Sequence, residues 1–250
     1  MDRAINVKSP AAPAGARHAW VFGASGLLGR RLVDALLESP EHARVIAVTR
    51  RPLGREHPRL ANRIVAFEQL ESQLAGITCH DAFCCLGTTR ARAGSEDAFR
   101  KVDHDQVLRV ARIVRQAGAE RFVLVSAVGA DPAAKNFYLR VKGETEAEVA
   151  ALGFPALDIV QPGLLLGGSR AESRPLESTA RLLMPLVNPL LGGAHKAWRG
   201  IDIGVLSQAM VALTRSGRRG VYRYTYDGLQ KLATRSRSAR PDGALTAPGS

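Results

Sequence analysis

The chain has 250 residues, of which 46% are hydrophobic and 23% charged, with a formal net charge of +12. This length fits one large domain, or one with a small appendage, and supports a core without a disulfide scaffold. No run approaches the roughly 18 apolar residues of a membrane span, and MDRAINVKSPAAPAGAR lacks the apolar stretch of a secretory leader.

Residues 1–17 and 231–250 are rich in Ala, Pro, Ser, Gly and Arg without an apolar period, and read as flexible tails around a folded domain at 18–230. The end segments 1–18 and 231–250 carry +2 and +3, which leaves +7 on the body, a balance that suits an anionic ligand. Nucleic acid is not the expected partner: aromatic residues are 5% of the chain, and no helix-turn-helix, zinc-finger or RNA-recognition motif is present.

Apolar runs and helical periods then alternate. HAWVFG (18–23) reads as a strand, followed by a helix in LLGRRLVDALLES that places Leu28, Leu32, Ala35 and Leu36 on one face. ARVIAVTR (43–50), NRIVAFE (62–68) and DAFCCLG (81–87) are the next three strands. A long helix at about 95–117 leads to a fifth strand, RFVLVSA (121–127), and ALDIVQPG (156–163) is a sixth, ended by Pro162. The region at about 164–230 is less regular and supplies substrate-side elements. LLMPLVNPLLGG (182–193) is apolar but broken by Pro185 and Pro189; GVLSQAMVAL (204–213) puts Leu206, Met210 and Leu213 on one helical face; GVYRYTYDG (220–228) alternates like an edge strand. Strands apolar on both sides, alternating with helices, predict an α/β doubly wound parallel sheet with helices on both faces and a small C-terminal extension.

FGASGLLGR sets Gly23, Gly26 and Gly29 in a G-x-x-G-x-x-G run between the first strand and first helix. Glycine there lets backbone N–H groups approach a pyrophosphate, and the helix N-terminus adds partial positive charge. The segment Gly23, Ser25, Gly26, Leu27, Leu28 and Gly29 is therefore the expected phosphate cradle, against the simpler reading of a plain tight turn. The second strand ends in TRRP, where a site for NAD usually offers an acidic residue. Arg50 and Arg51 instead suit a 2′-phosphate, and NADP(H) is the expected cofactor; solvated surface charge is the alternative.

FCCLGTTRARAG (83–94), VSAVGAD (125–131), NFYLRVKGETEAEV (136–149) and ESRP (172–175) together resemble the Tat-interacting-protein branch of the atypical short-chain dehydrogenases, from about residue 19 to 215. The resemblance implies a Rossmann fold of the NAD-dependent epimerase/dehydratase type that binds NADPH. Bacterial relatives of this kind are described as oxidoreductase-like, and animal ones are known mainly for regulation. Short-chain dehydrogenases use a Ser, a Tyr and a Lys; carried over by motif, these fall on Ser126, Tyr138 and Lys142. The spacing is physically apt. Ser126 ends the fifth strand, where open α/β sheets bind ligands, and Tyr138 and Lys142 share a helix face. An ammonium beside the phenol is expected to lower its pKa from about 10 and fit it for proton exchange. Tyr138 and Lys142 also stand as cofactor contacts, with Leu86, Gly87 and Thr88 after the fourth strand and Pro162 after the sixth.

Asp103 lies on a stripe with Phe99, Val107, Val110 and Val114, so its carboxylate needs a partner. By analogy with an asparagine in related dehydrogenases, it is expected to support the lysine through water, or else to bond backbone. Arg90 follows the fourth strand as a further candidate for the cofactor cleft. His104 and Asp105 are expected toward solvent or a loop, and His18, His42, His57, His80 and His195 in surface or loop positions. Cys79, Cys84 and Cys85 read as strand-region thiols in a reducing cytoplasm, and no metal-ligand spacing appears. Gln161 stands where relatives often carry arginine, and Ala127 where a second serine is frequent. The expectation is an NADP-dependent oxidoreductase acting on a small carbonyl or alcohol. The rival is a non-enzymatic NADPH binder reporting cofactor state to a protein partner; the 182–193 stretch suits a substrate lid or a protein interface equally, and the partner expected beyond a small substrate is a second copy in a homodimer or another protein.

Overall fold

The computed structural model describes residues 17–167 and 193–238. In chain order, β1 (Arg17–Phe22) leads through a glycine turn into α1 (Leu27–Glu38), followed by β2 (His42–Thr49), β3 (Leu60–Ile64), α2 (Leu70–Leu74) and β4 (Asp81–Cys84). Then come α3 (Arg90–Ala93), α4 (Glu96–Arg100), a π-turn (Lys101–Asp105), α5 (Gln106–Gln116), β5 (Arg121–Val125), α6 (Phe137–Ala151), β6 (Ala156–Val160) and the short β7 (Leu165–Leu166). A 3₁₀ segment (Gly193–Trp198), β8 (Ile201–Asp202), α7 (Ile203–Thr214), β9 (Gly220–Tyr224) and α8 (Tyr226–Ser238) complete the described chain. The ESRP motif and all of the 182–193 stretch except Gly193 lie outside the described residues.

The main sheet runs β3-β2-β1-β4-β5-β6-β9, with every pairing parallel, and β7 pairs with β8 in a small second sheet. This is the doubly wound, Rossmann-type sheet that the alternation predicts. Successive residues of β1 enter different cores, because side chains alternate across a strand. Ala19 and Val21 join Leu28, Leu32 and Leu36 of α1 with Leu206, Met210 and Leu213 of α7. Trp20 and Phe22 join Val107, Val110 and Val114 of α5 with Val149 of α6. Cys84 packs in the second core and its neighbour Cys85 against the first; all three cysteines are free. Burial of each large side chain stabilises the sheet by about 1.5–3 kcal/mol.

The strand order reverses between β1 and β4, and this switch point opens a crevice at their carboxyl ends. Three expectations need correction. The helix at about 95–117 is interrupted by the π-turn, in which Asp103 and His104 are buried. The expected tail at 231–250 begins too early: α8 runs to Ser238, Ala233 is buried and Leu232 packs on the first core. The stripe Leu229, Leu232, Ala233 continues the helical period through a stretch whose polar residues masked it. His42 is fully buried rather than at the surface, with its Nε2 2.9 Å from Asp81 Oδ2.

That histidine belongs to a polar network at the amino end of the sheet, opposite the crevice. Arg17 donates to both carboxylate oxygens of Asp81 at 2.9 and 3.0 Å, Arg121 pairs with Asp158, and the Tyr224 hydroxyl donates to Asp158 at 3.1 Å. Burial opposes ionisation of Asp81, yet the hydrogen bonds from His42 and Arg17 hold its pKa below the ordinary carboxylate value.

Candidate active site

The glycine turn meets the crevice because its residues leave no room for side chains. Gly23 adopts φ +75°, and a Cβ there would lie 2.6 Å from the Cys85 carbonyl oxygen, so the turn after β1 rests directly on the chain leaving β4. A Cβ on Gly29 would lie 2.2 Å from the Gly23 oxygen. The Gly26 N–H donates to that same oxygen at 3.0 Å and closes the turn. Gly26 caps α1 without a side-chain hydrogen bond, and the first turn of α1 holds no acidic residue. The helix end is thus electropositive and uncrowded, as a pyrophosphate requires. Ser25 and Gly26 are exposed and Leu27 half-buried; the Leu28 side chain is in the core, so its role there is limited to its backbone.

Arg50 and Arg51 directly follow β2, the strand beside β1, and both are exposed. Leu86, Gly87 and Thr88 leave β4 on the other side of the crevice. A Cβ on Gly87 would lie 3.3 Å from Asp103 Oδ1 and 3.8 Å from Lys142 Nζ, which brings this loop onto the lysine. Arg90, by contrast, is exposed and pairs with Glu96 at 2.8 Å.

Ser126 stands one residue past β5; its N–H donates to the Val160 oxygen at 2.8 Å. The residue is buried, and its Oγ has no hydrogen-bond partner among the described residues. An orphaned buried hydroxyl at the crevice suits a ligand oxygen. Val128 N–H donates to the Pro162 oxygen at 3.1 Å, tying the loop after β5 to that after β6.

Helix α6 starts at an Asn136 cap, whose side chain accepts from the Leu139 N–H at 3.2 Å. It carries Tyr138 in its first turn and Lys142 one turn later. Gly143 makes the docking close: a Cβ there would sit 2.2 Å from the Asp131 carbonyl carbon, so α6 lies against the loop that begins with Ser126. Lys142 is buried and its Nζ is 2.8 Å from Asp103 Oδ1. The other oxygen of Asp103 accepts the Thr88 N–H at 2.8 Å, and the Asp103 carbonyl accepts from Thr145 at 3.1 Å. Asp103 thus meets the lysine directly, without the water the analogy implied.

The electrostatics also differ from the expectation for the phenol. Burial raises the Tyr138 pKa; Lys142 works to lower it and Asp103 to raise it, and the net shift is upward. The ammonium remains the charged form despite its burial, because Asp103 and Tyr138 favour it and carry its pKa above the usual lysine value.

Two groups escaped the sequence reading. His104 is buried rather than solvent-facing, its Nδ1 2.8 Å from Asp105 and its Nε2 2.9 Å from Glu148 on α6. Glu146, one turn beyond Lys142, is buried and accepts from Gln161 at 2.8 Å and from Arg223 of β9 at 2.9 Å. The unusual Gln161 is therefore engaged with Glu146. Its adjacency to Pro162 was visible; its partner 15 residues upstream was not. Among the described residues, no cluster of three His, Cys, Asp or Glu is placed to hold a metal, and no helix is long and apolar enough to cross a membrane.

Comparison with known proteins fits this geometry. A family model described as NAD(P)H-binding matches residues 23–178. Protein HTATIP2 of Rattus norvegicus is 41% identical over 166 residues, covering 65% of this chain and 68% of that protein. The mitochondrial protein fmp52 of Aspergillus clavatus is 35% identical over 200 residues, 76% of this chain and 84% of its own length. Among solved structures, MoeE5 in complex with UDP-glucose and NAD aligns with a TM-score of 0.62 at 17% identity, covering 88% of this chain and 81% of that one. The Bordetella bronchiseptica enzyme WbmG in complex with NAD aligns at 0.63 with 14% identity, covering 96% and 84%. At such identities these structures speak for the fold alone.

Proposed function

The chain belongs to the NAD(P)H-binding family, in its Tat-interacting-protein-like branch of atypical short-chain dehydrogenases, and from that premise we propose that it is an NADP-dependent oxidoreductase converting a small carbonyl to its alcohol. The observation that carries the reading is Lys142, a buried ammonium that lies beside Gly87 of the cofactor loop, is paired to Asp103 and is coupled electrostatically to Tyr138. The residues that would hold the cofactor are Gly23, Ser25, Gly26, Leu27, Gly29 and the Leu28 backbone at the pyrophosphate, Arg50 and Arg51 at a 2′-phosphate, and Leu86, Gly87, Thr88, Lys142 and Pro162 toward the nicotinamide end. When bound, reduced nicotinamide supplies a hydride to the carbonyl carbon. Tyr138 gives its proton to the carbonyl oxygen, which completes the alcohol, and regains one from solvent. Ser126 hydrogen-bonds the same oxygen, and Lys142 stabilises the phenolate while it lasts.

The raised Tyr138 pKa supports the reductive direction, since the phenol holds its proton at neutral pH. Free thiols suit a reducing compartment such as the cytoplasm, where this reading puts the reaction; the mitochondrial label belongs to the fungal relatives. The test is NADPH oxidation against a panel of aldehydes, ketones and quinones with purified full-length protein. Tyr138→Phe is expected to lower kcat by about 100-fold or more. Turnover unchanged in that variant, or tight NADPH binding with no turnover on any compound, would overturn the proposal.

A further inference from the structure

Trp198 is the largest exposed aromatic among the described residues, with 46% of its surface accessible. Its place in the fold is specific. A Cβ on Gly129 would come within 2.9 Å of the Trp198 Cη2 and 3.5 Å of the Leu139 side chain. Gly129 lies three residues after Ser126, and Leu139 directly follows Tyr138. The indole edge therefore rests on the turn that joins the orphaned hydroxyl to the phenol. Gly129 has φ +80°, so both its backbone and the indole contact favour glycine there. The Trp198 backbone is fixed as well: a Cβ on Gly163 would lie 2.6 Å from the Trp198 oxygen. Trp198 thus bridges the loops after β5 and β6, the two that the Val128–Pro162 hydrogen bond already joins.

The loops that Trp198 joins carry apolar residues next to the contact. Ala127 and Val128, which precede Gly129, and Pro162, which precedes Gly163, are buried. Three polar side chains of the same loops have partners of their own: Asp131 accepts from Ala133 N–H at 2.8 Å, Asn136 caps α6, and Gln161 donates to Glu146. The Arg199 guanidinium lies 5.7 Å over the Tyr226 ring. What these segments offer a substrate is a flat aromatic face on the turn that follows Ser126 and packs on Leu139, the neighbour of Tyr138. Such a face rewards a planar ring through stacking and gains little from a short alkyl chain.

We infer that Trp198 is a specificity-determining residue that forms a substrate wall and selects planar aryl or quinoid carbonyl compounds. The inference rests on the proposed carbonyl reduction, and the experiment separates the two. With full-length protein and NADPH, kcat/KM is measured for 2-naphthaldehyde and for propanal, in the wild type, Trp198→Ala and Trp198→Phe. The ratio of the two values is expected to fall about tenfold in Trp198→Ala and to recover in Trp198→Phe. An unchanged ratio overturns the inference while leaving carbonyl reduction intact.

Calorimetric binding of 2-naphthaldehyde to NADP⁺-loaded Tyr138→Phe protein decides the matter if no carbonyl is turned over. About tenfold weaker binding when Trp198→Ala is added supports the wall even where the catalytic reading has failed. Equal binding, or no binding to either protein, overturns it.

Discussion

The Asp103 carboxylate stands between Lys142 Nζ and the Thr88 N–H, 2.8 Å from each. One side chain therefore fixes both the ammonium of α6 and the backbone of the loop that follows β4. Asp103→Asn keeps an acceptor for Thr88 and removes the charge. Asp103 raises the pKa of both neighbours, so Lys142 and Tyr138 should each titrate at lower pH in this variant. Tyrosinate absorbance, read against a Tyr138→Phe background, checks this, and an unmoved Tyr138 midpoint would refute it. Asp103→Ala should be worse, destabilising the fold by about 3 to 5 kcal/mol because Lys142 is left as a buried, uncompensated charge.

The glycines of the first turn are expected to differ in cost. Gly29→Ala forces a Cβ to 2.2 Å from the Gly23 oxygen, which is backbone and cannot swing aside. It should lower stability by about 2 to 3 kcal/mol and abolish nucleotide binding. Gly26→Ala meets that oxygen at only 3.3 Å and should do much less. Thermal melts with and without NADPH would expose the contrast; equal effects would mean the turn is not held by this packing.

Cofactor choice turns on Arg50 and Arg51. Each alanine variant is expected to weaken NADPH by about tenfold while leaving NADH nearly unaffected, since only NADPH carries the 2′-phosphate. Calorimetric titration of both nucleotides measures it. Equal losses would remove the phosphate clamp from the reading.

At the opposite end of the sheet, Asp81 links pH to stability. Its folded pKa lies below the unfolded value, so its contribution is present above about pH 4 and is lost as pH falls through the folded pKa. Asp81→Asn strands His42 and Arg17, and should cost about 3 kcal/mol at neutral pH. The gap between variant and wild type should close in acid. Denaturant melts at pH 7 and pH 3 test this, and a constant gap would contradict it.

What the sequence made legible follows from where the determining interactions lie. The alternation of strands and helices, the glycine turn and the placing of Ser126 at the end of β5 depend on local apolar runs and on glycine, and all were readable. Asp103 announced itself as a carboxylate on an apolar stripe, but its direct grip on Lys142 depends on the π-turn, which shifts the helix register and which no periodicity marks. The phenol was misjudged for a related reason. Proximity to lysine was readable at i and i+4, whereas the burial that outweighs it comes from packing that includes Phe99, whose ring centre is 5.5 Å from that of Tyr138. His42 and His104 looked like scattered surface residues because their carboxylate partners lie 39 and 44 positions away.

The Arg223–Glu146 contact bears on how the protein is made. Every side chain proposed for cofactor or proton transfer lies at or before residue 162, yet the guanidinium that pairs with buried Glu146 arrives only with β9, the last of the described strands. A nascent chain that stops short of that strand carries a carboxylate poised for burial beside the helix turn of Lys142, without its counter-charge. Stable docking of α6 is therefore expected to await β9, and chains cut before residue 220 should emerge with α6 undocked.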